Sequence, residues 1–589
     1  MGPTRPSARA RWPAGAALLA GAVVALGFAP LPIGGRLAVK SLNAQVFERT
    51  GLTAAAAAED VRLTLLPFPR VTVSRLVLAA PDGRALARIA AADAYLRPLD
   101  LVGGRFGFSG FSLREPVFDA ASGEARAAWR KAGAQLLDNA DPSASPPPVT
   151  IAIVGGRVLS AEGHATDVAA NIAWEGPEEP FSVWARGRWR GEEAEVQIAD
   201  IALGKILKGQ GESPARLTAW TPFGSVDAQG VAAGGATPRF DGDVRLAVTS
   251  ADGLGRWLDA TLPLAGVINR YTVEGRVAAS PRGFSSSAIT IDARGGRLEG
   301  TLALRLDAER PQISGTLASQ SLDFDSLTPA MDSLREASGA WSADGFDPSP
   351  LRRNDADIRL SAARVRLLGA KLEDAAISIM LKAGKLEFVL GRAQAYDGAL
   401  RGRATLQALD GARVDARLQG VFENLDMAAA SQELLGRRLL SGRGQGQAQI
   451  EASGASPDEI ARQTAGKIAA QVKDGEISGV GLLDAARRPD RIAGGIVELG
   501  RGSTGFSLLD MSAALAQGVA VIPDGSLSLK SDSLEVIAGG RAMLADQSLL
   551  IDGRARAKGL PIDGLPFTLR GPVQRPELRW NLSALFNRS

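Results

Sequence analysis

The feature that most restricts this chain is an apolar residue at every second position, in short runs recurring along nearly its whole length. Val61, Leu63 and Leu65 alternate with Arg62 and Thr64. The same alternation returns at Val244, Leu246 and Val248, at Leu302, Leu304 and Leu306, and at Ile377, Ile379 and Leu381. It returns again at Val414, Ala416 and Leu418, and at Leu527 and Leu529. Successive side chains of a strand point to opposite faces, so each run predicts a strand with one apolar and one polar face. Breaks between runs carry turn chemistry. Asp82-Gly83, Asp397-Gly398, Asp410-Gly411, Asp474-Gly475, Asp524-Gly525 and Asp552-Gly553 suit the positive φ angles of tight hairpins. Residues 377–382 and 385–390 flank Ala383-Gly384 as the arms of an antiparallel hairpin would. The expected fold class is mainly β, mostly antiparallel.

A few short helices interrupt the pattern. Leu37 to Arg49 reads as one, with Gly51 placed to end it, and Glu124 to Leu137 as another before the Pro/Ser-rich linker at 141–148. Leu425 to Leu435 and Asp458 to Thr464 are shorter. The last has Ser456 as cap, Pro457 at its first position and Glu459 to complete a capping box.

One glycine pattern recurs without fixed spacing, as in Gly296-Arg297-Leu298-Glu299-Gly300 and Gly398-Ala399-Leu400-Arg401-Gly402. Glycine inside a strand permits a bulge or bend, and repeated bends curl a sheet into a trough. The apolar face of a trough must be closed, covered or occupied. Ordinary β-sandwich cores would meet that need. So would acyl chains, since each buried methylene contributes about 0.8 kcal/mol. On the second reading the groove-lining candidates are the alternating residues above: Val61, Leu63, Leu65, Val244, Leu246, Val248, Leu302, Leu304, Leu306, Ile377, Ile379, Leu381, Val414, Leu418, Leu527 and Leu529.

The N-terminus points to a membrane. Arg5, Arg9 and Arg11 precede an apolar stretch from Ala14 to Ile33, long enough as a helix to cross a hydrocarbon core. Leu18, Leu19, Val23, Val24, Leu26 and Phe28 would be its lipid-facing bulk. A cleaved signal peptide, with Gly27-Phe28-Ala29 near the cut, is the competing reading, and an organellar transit peptide a looser one.

Composition removes other classes. With no Cys and His164 as the only His, thiol catalysis, Cys-ligated metal sites and disulfide scaffolds are excluded. Lys and Arg total 67 against 64 acidic residues, a balance unlike that of a nucleic-acid binder. Aromatics, at 5%, are too few for stacking platforms. The acidic pairs Glu178-Glu179 and Glu192-Glu193 read as solvated surface, because neighbours on a strand face opposite ways. Trp184, Arg186, Arg188 and Arg190 share a strand face, and Glu192, Glu193 and Glu195 follow as cross-strand charge partners. No cofactor, metal or catalytic constellation is expected.

The chain resembles the AsmA-like family of bacterial envelope proteins. Near the N-terminus the resemblance rests on Thr50-Gly51, the run from Val61 to Pro69, Leu96-Arg97-Pro98-Leu99 and Arg114-Glu115-Pro116-Val117. Near the C-terminus it rests on Leu440-Ser441-Gly442-Arg443-Gly444, Thr464-Ala465-Gly466-Lys467, Asp474-Gly475-Glu476-Ile477-Ser478-Gly479 and the tail Leu565 to Val573. The family-motif residues are Gly442, Gly444, Gly466, Asp474, Gly475 and Gly479. The resemblance implies four regions: a cytoplasmic stub and transmembrane anchor at 1–35, an N-terminal β region at 36–148, a central β-groove at 149–440 and a C-terminal region at 441–589. It also implies a single-pass inner-membrane protein with its bulk in the periplasm, related to bridge-like lipid-transfer proteins. Such a protein would hold phospholipid acyl chains in its groove and support outer-membrane lipid balance. The tail carries no second anchor, which leaves room for an outer-membrane or periplasmic partner protein. An envelope factor that assists outer-membrane protein assembly without moving lipid is the alternative, and a secreted β-scaffold hydrolase a more distant one.

Overall fold

The computed structural model describes residues 31–32, 35–98, 108–138, 149–174, 179–209, 211–260, 268–327, 340–482, 496–497, 502–558, 564–572 and 576–581. The chain divides into two units. The first is Met1–Ala265 with Thr272–Pro281; the second is Gly266–Tyr271 with Arg282–Ser589. Each is built on an open, curved sheet, and the division falls inside the span 149–440.

After the short strand Leu31–Pro32 the first unit has a helix, Gly35–Thr50, which ends where Gly51 takes φ +70° and donates to the Phe47 carbonyl at 2.7 Å. Val39, Leu42 and Val46 on this helix pack onto Ala54, Val61, Val73, Leu76 and Ile89 of the first strands. The helix thus covers that end of the apolar face. Strands then follow as neighbours in sequence, mostly antiparallel. The exception joins Phe108–Ala120 to Val149–Ser160 in parallel, with the helix Gly123–Asp138 between them. Parallel neighbours need such a crossover, because a tight hairpin reverses direction. The second unit repeats the arrangement. Gln312–Asp323 pairs in parallel with Asp355–Leu367, and all its other described pairings are antiparallel. The sheet is therefore mixed.

Several expectations are met closely. Lys382 pairs with Lys385 across Ala383 (φ 52°) and Gly384 (φ 82°), the two positive angles a two-residue hairpin requires. The helices Met427–Leu435 and Pro457–Gln463 lie within two residues of their expected bounds. Ser456 Oγ accepts from Glu459 N at 3.2 Å. The Glu459 carboxylate reaches back to Ala455 N at 2.8 Å, one residue beyond a standard capping box.

Others need correction. Asp474-Gly475, Asp524-Gly525 and Asp552-Gly553 are not turns; they lie inside the strands Ala465–Ser478, Val519–Lys530 and Ser548–Ala557. At Asp524-Gly525 the register slips between Ile522 and Leu527, so the dipeptide forms a bulge. Gly553 pairs with Phe567, whose ring occupies the space a Cβ would take. The glycine pattern near 296 does coincide with a register slip, between Gly296 and Glu299. The helices Leu203–Lys208, Ala251–Leu258 and Ser349–Arg353 were not anticipated. The proposed anchor residues lie outside the described residues, and no helix among those described is long and apolar enough to cross a membrane.

Candidate functional site

Strand register decides which side chains share a face. In the first unit Leu63 lies opposite Val71, then Ala94, Phe111, Ile151 and Ile172. The same row continues through Val183, Ile198, Leu217, Ala228 and Val244. A parallel row two residues along each strand runs from Val61 through Val73, Leu113, Ile153 and Val196 to Leu246. Between them, on the other face, the row reads Arg62, Thr72, Asp93, Ser112, Ala152, Asn171, Trp184, Gln197, Thr218, Asp227 and Arg245. The local alternation of single strands is thus locked in phase across eleven of them. A one-residue slip anywhere would reverse a strand's faces.

The second unit does the same. Leu302 opposes Gly315, then Ile358, Ile379, Phe388, Ala404, Leu418 and Ile450. Leu304 opens the neighbouring row, through Ile313, Ala356, Leu381, Leu386, Leu406 and Ala416. A third row holds Leu317, Leu360, Ile377 and Leu390, all buried. Farther along, Met511 opposes Leu527 and Leu509 opposes Leu529 on the same face.

Covering differs along this face. Row Leu317–Leu390 is packed, whereas Ile358, Ile379 and Phe388 beside it are only partly buried and Leu418 is 48% exposed. Toward the C-terminal strands, Val472, Leu529, Val536, Ala555, Leu565, Phe567 and Trp580 close into one cluster with Leu482. Of the groove candidates, Val61 lies beneath the helix Gly35–Thr50 and Val248 is fully buried. Leu65 and Leu306 fall just beyond their strands, Val61–Thr64 and Gly296–Arg305, and are exposed there. Val414 is buried and pairs with Gly454.

The apolar face of the first unit holds a cavity of about 500 Å³, within the usual range for small-ligand pockets. Val158, Val168, Ala185, Val196, Val226 and Leu246 form its floor, and Leu254, Trp257 and Leu258 on the helix Ala251–Leu258 form its roof. Sequence reasoning missed this helix because it contains two glycines, which are poor helix formers. Its placement explains one of them. Phe223 packs so closely on Gly253 that a Cβ there would meet the ring at 2.5 Å. Ser250 Oγ caps the helix by accepting from Gly253 N at 3.1 Å. Trp257 Nε1 donates to the Trp189 carbonyl at 2.8 Å, and Arg190 Nη1 donates to the Trp257 carbonyl at 2.8 Å. The cavity lining is almost purely hydrocarbon, so it offers contact to an apolar group and few polar partners.

A larger recess of about 770 Å³ lies in the second unit and includes Arg401, Arg403, Gln419, Gln447, Gln449 and Lys467 of the polar face. Arg401 already pairs with Glu423 at 2.6 Å and Arg403 with Glu387 at 3.2 Å. The charges of both arginines are thus compensated within the sheet.

The expected pairing in the Arg/Glu stripe is present: Arg186 meets Glu193 at 3.0 Å, and Trp184 Nε1 donates to Glu195 at 2.8 Å. His164 is exposed at the start of its strand. The motif residues act on the backbone. Gly442 has φ +113° and Asp474 φ +50°, and a Cβ on Gly475 would collide with the Ser441 carbonyl and the Phe506 ring.

Residues 283–524 match the AsmA family. The chain is AsmA-like over this span. No curated protein sequence matches it at a significant level. The AsmA match begins at the first residue of the strand Gly283–Ala293 and lies wholly within the second unit. It takes in the rows through Leu302, Ile379 and Leu418 and the motif residues from Gly442 to Gly479. Leu527, Leu529, the tail from Leu565 and the N-terminal motifs lie outside the AsmA match.

Proposed function

We propose that this chain is a single-pass inner-membrane protein whose periplasmic sheets hold phospholipid acyl chains along their apolar face, supporting lipid transport or outer-membrane lipid balance without catalysing a reaction. The observation that carries this reading is the phase-locked apolar face, unbroken by a charged residue in the rows from Leu63 to Val244 and from Leu302 to Ile450, and left partly accessible. Water is a poor solvent for such a surface, and an acyl chain would gain about 0.8 kcal/mol per methylene buried on it. The AsmA match and the apolar stretch Ala14–Ile33 support the envelope setting. A partner protein at the outer membrane or in the periplasm would complete transfer.

Photocrosslinkers at Leu302 and Leu304, with Ala303 on the opposite face as control, test the reading. Phospholipid adducts at 302 and 304 well above those at 303 are expected. Equal yields would overturn it, and adducts restricted to protein would favour an envelope-assembly role.

A further inference from the structure

We infer that the loop Leu65–Pro69 is a second membrane contact, dipping into the bilayer surface beside the point where the N-terminal apolar segment joins the folded chain. The inference rests on the anchor reading above. The register fixes the geometry. Leu31 pairs with Leu63 and Pro32 with Arg62, antiparallel. The N-terminal end of that short strand therefore lies beside the end of Val61–Thr64 that runs on into Leu65. The chain preceding Leu31 is the apolar run from Ala14.

The loop is itself apolar, Leu65-Leu66-Pro67-Phe68-Pro69, yet it is not packed away. Leu65 is 40% and Phe68 66% exposed, whereas Val61 and Val73 on the adjoining strands are buried. Its base is tied to the sheet, since Leu96 N donates to the Pro69 carbonyl at 2.8 Å. Arg62 and Arg70 flank it, and no Asp or Glu occurs from Val61 to Pro81. An apolar tip with basic shoulders matches a phospholipid surface, with hydrocarbon below and phosphate at headgroup level. A water-facing loop has no comparable reason to present Phe68.

The chain lacks cysteine, so single cysteines can be labelled directly. Full-length Leu65→Cys, Phe68→Cys, Val231→Cys and Leu19→Cys proteins carrying an environment-sensitive fluorophore would be reconstituted into vesicles of phosphatidylethanolamine and phosphatidylglycerol. Nitroxide-labelled phospholipid is the quencher. Val231 is an exposed apolar control nine strands along the same unit, about 43 Å by strand spacing. Quenching of about twofold or more at 65 and 68, with little at 231, is expected from insertion ~5–10 Å into the headgroup boundary. Quenching at 19 but not at 65 or 68 overturns this inference alone. Absence of quenching at 19 overturns the anchor reading and this inference with it, and equal quenching at 231 reduces the contact to non-specific adsorption and overturns it too.

Discussion

Three residues on one strand, Ala370–Lys382, separate a packed floor, an accessible wall and a solvent face, and truncating each should give three different costs. Ile377 is 3% exposed and sits between Leu360 and Leu390, both buried. Ile377→Ala removes three carbons, a transfer loss of about 2.4 kcal/mol at ~0.8 each. A cavity cost adds to it, within the observed range of about 2–5 kcal/mol for such truncations. Ile379 shares that face but is only partly buried between Ile358 and Phe388, so Ile379→Ala should cost about 1–2 kcal/mol in lipid-free protein. Met380 points the other way and is 45% exposed; Met380→Ala should stay within about 0.5 kcal/mol.

The chain has two units, so one global unfolding midpoint is a poor readout. Hydrogen exchange of residues 370–390, followed by mass spectrometry in the full chain, reads the local opening free energy instead. Adding phospholipid supplies a second axis. Ligand at about 100 times its Kd adds about 2.7 kcal/mol to any opening that releases it. That gain should shrink in Ile379→Ala and persist in Met380→Ala. Equal costs at 377 and 379 without lipid would mean the wall is as packed as the floor. A large cost at 380 would mean the faces are assigned the wrong way round.

Other consequences are simpler to test. Ser456→Ala should weaken protection of the helix Pro457–Gln463 by about 1 kcal/mol, through loss of its N-cap, in the same exchange experiment. The Glu459 carboxyl is held below its ordinary value, first by the Ala455 amide and then by hydrogen bonding to Arg413. Its stabilisation is therefore present above the ordinary glutamate range and lost as pH falls through the lowered value, so protection of that helix should drop on acidification in the native chain and much less in Glu459→Gln. Gly475→Ala should lower the opening free energy of residues 465–478 by about 1–3 kcal/mol or more in the same exchange experiment, because the new methyl meets the Ser441 carbonyl and the Phe506 ring. Ser286 buries its hydroxyl opposite Leu302 with no hydrogen-bond partner among the described residues, so Ser286→Ala should be neutral or stabilise by up to about 1 kcal/mol.

The local part of this fold is written in the sequence, and the non-local part is not. Alternation at Ile377, Ile379 and Leu381 identifies both strand and face, since the period of two is a property of one strand. Ala383-Gly384 places its hairpin as the break between two alternating runs, and both residues take the positive φ angles the turn needs. The same local logic misleads at Asp524-Gly525, where the dipeptide bulges a strand held by neighbours on both sides. The parallel pairings at 108–120 with 149–160 and at 312–323 with 355–367 arise from crossovers whose endpoints no short-range pattern marks. The roof helix Ala251–Leu258 was illegible for a related reason: its glycines argue against a helix until the Phe223 ring that requires one of them is in place.

Why the apolar face is covered in some places and not in others follows from what each stretch has to cover it with. In the first unit the helix Gly35–Thr50 lays Val39, Leu42 and Val46 over the first strands, and the helix Ala251–Leu258 roofs a cavity without filling it. In the second unit the closing strands carry Phe567, Trp580, Leu565 and Leu529, large enough to meet one another and Leu482 across the curl. Between Leu302 and Ile450 the same face carries glycine and alanine at Gly315, Ala404, Gly402 and Gly420. Small residues there leave room within the curl. Leu418, 48% exposed beside Ile450, leaves apolar surface that an acyl chain would cover on the proposed reading. On the proposed reading, the distribution of side-chain size along the face, rather than its apolarity alone, would separate a sheet able to take up hydrocarbon from one that packs against itself.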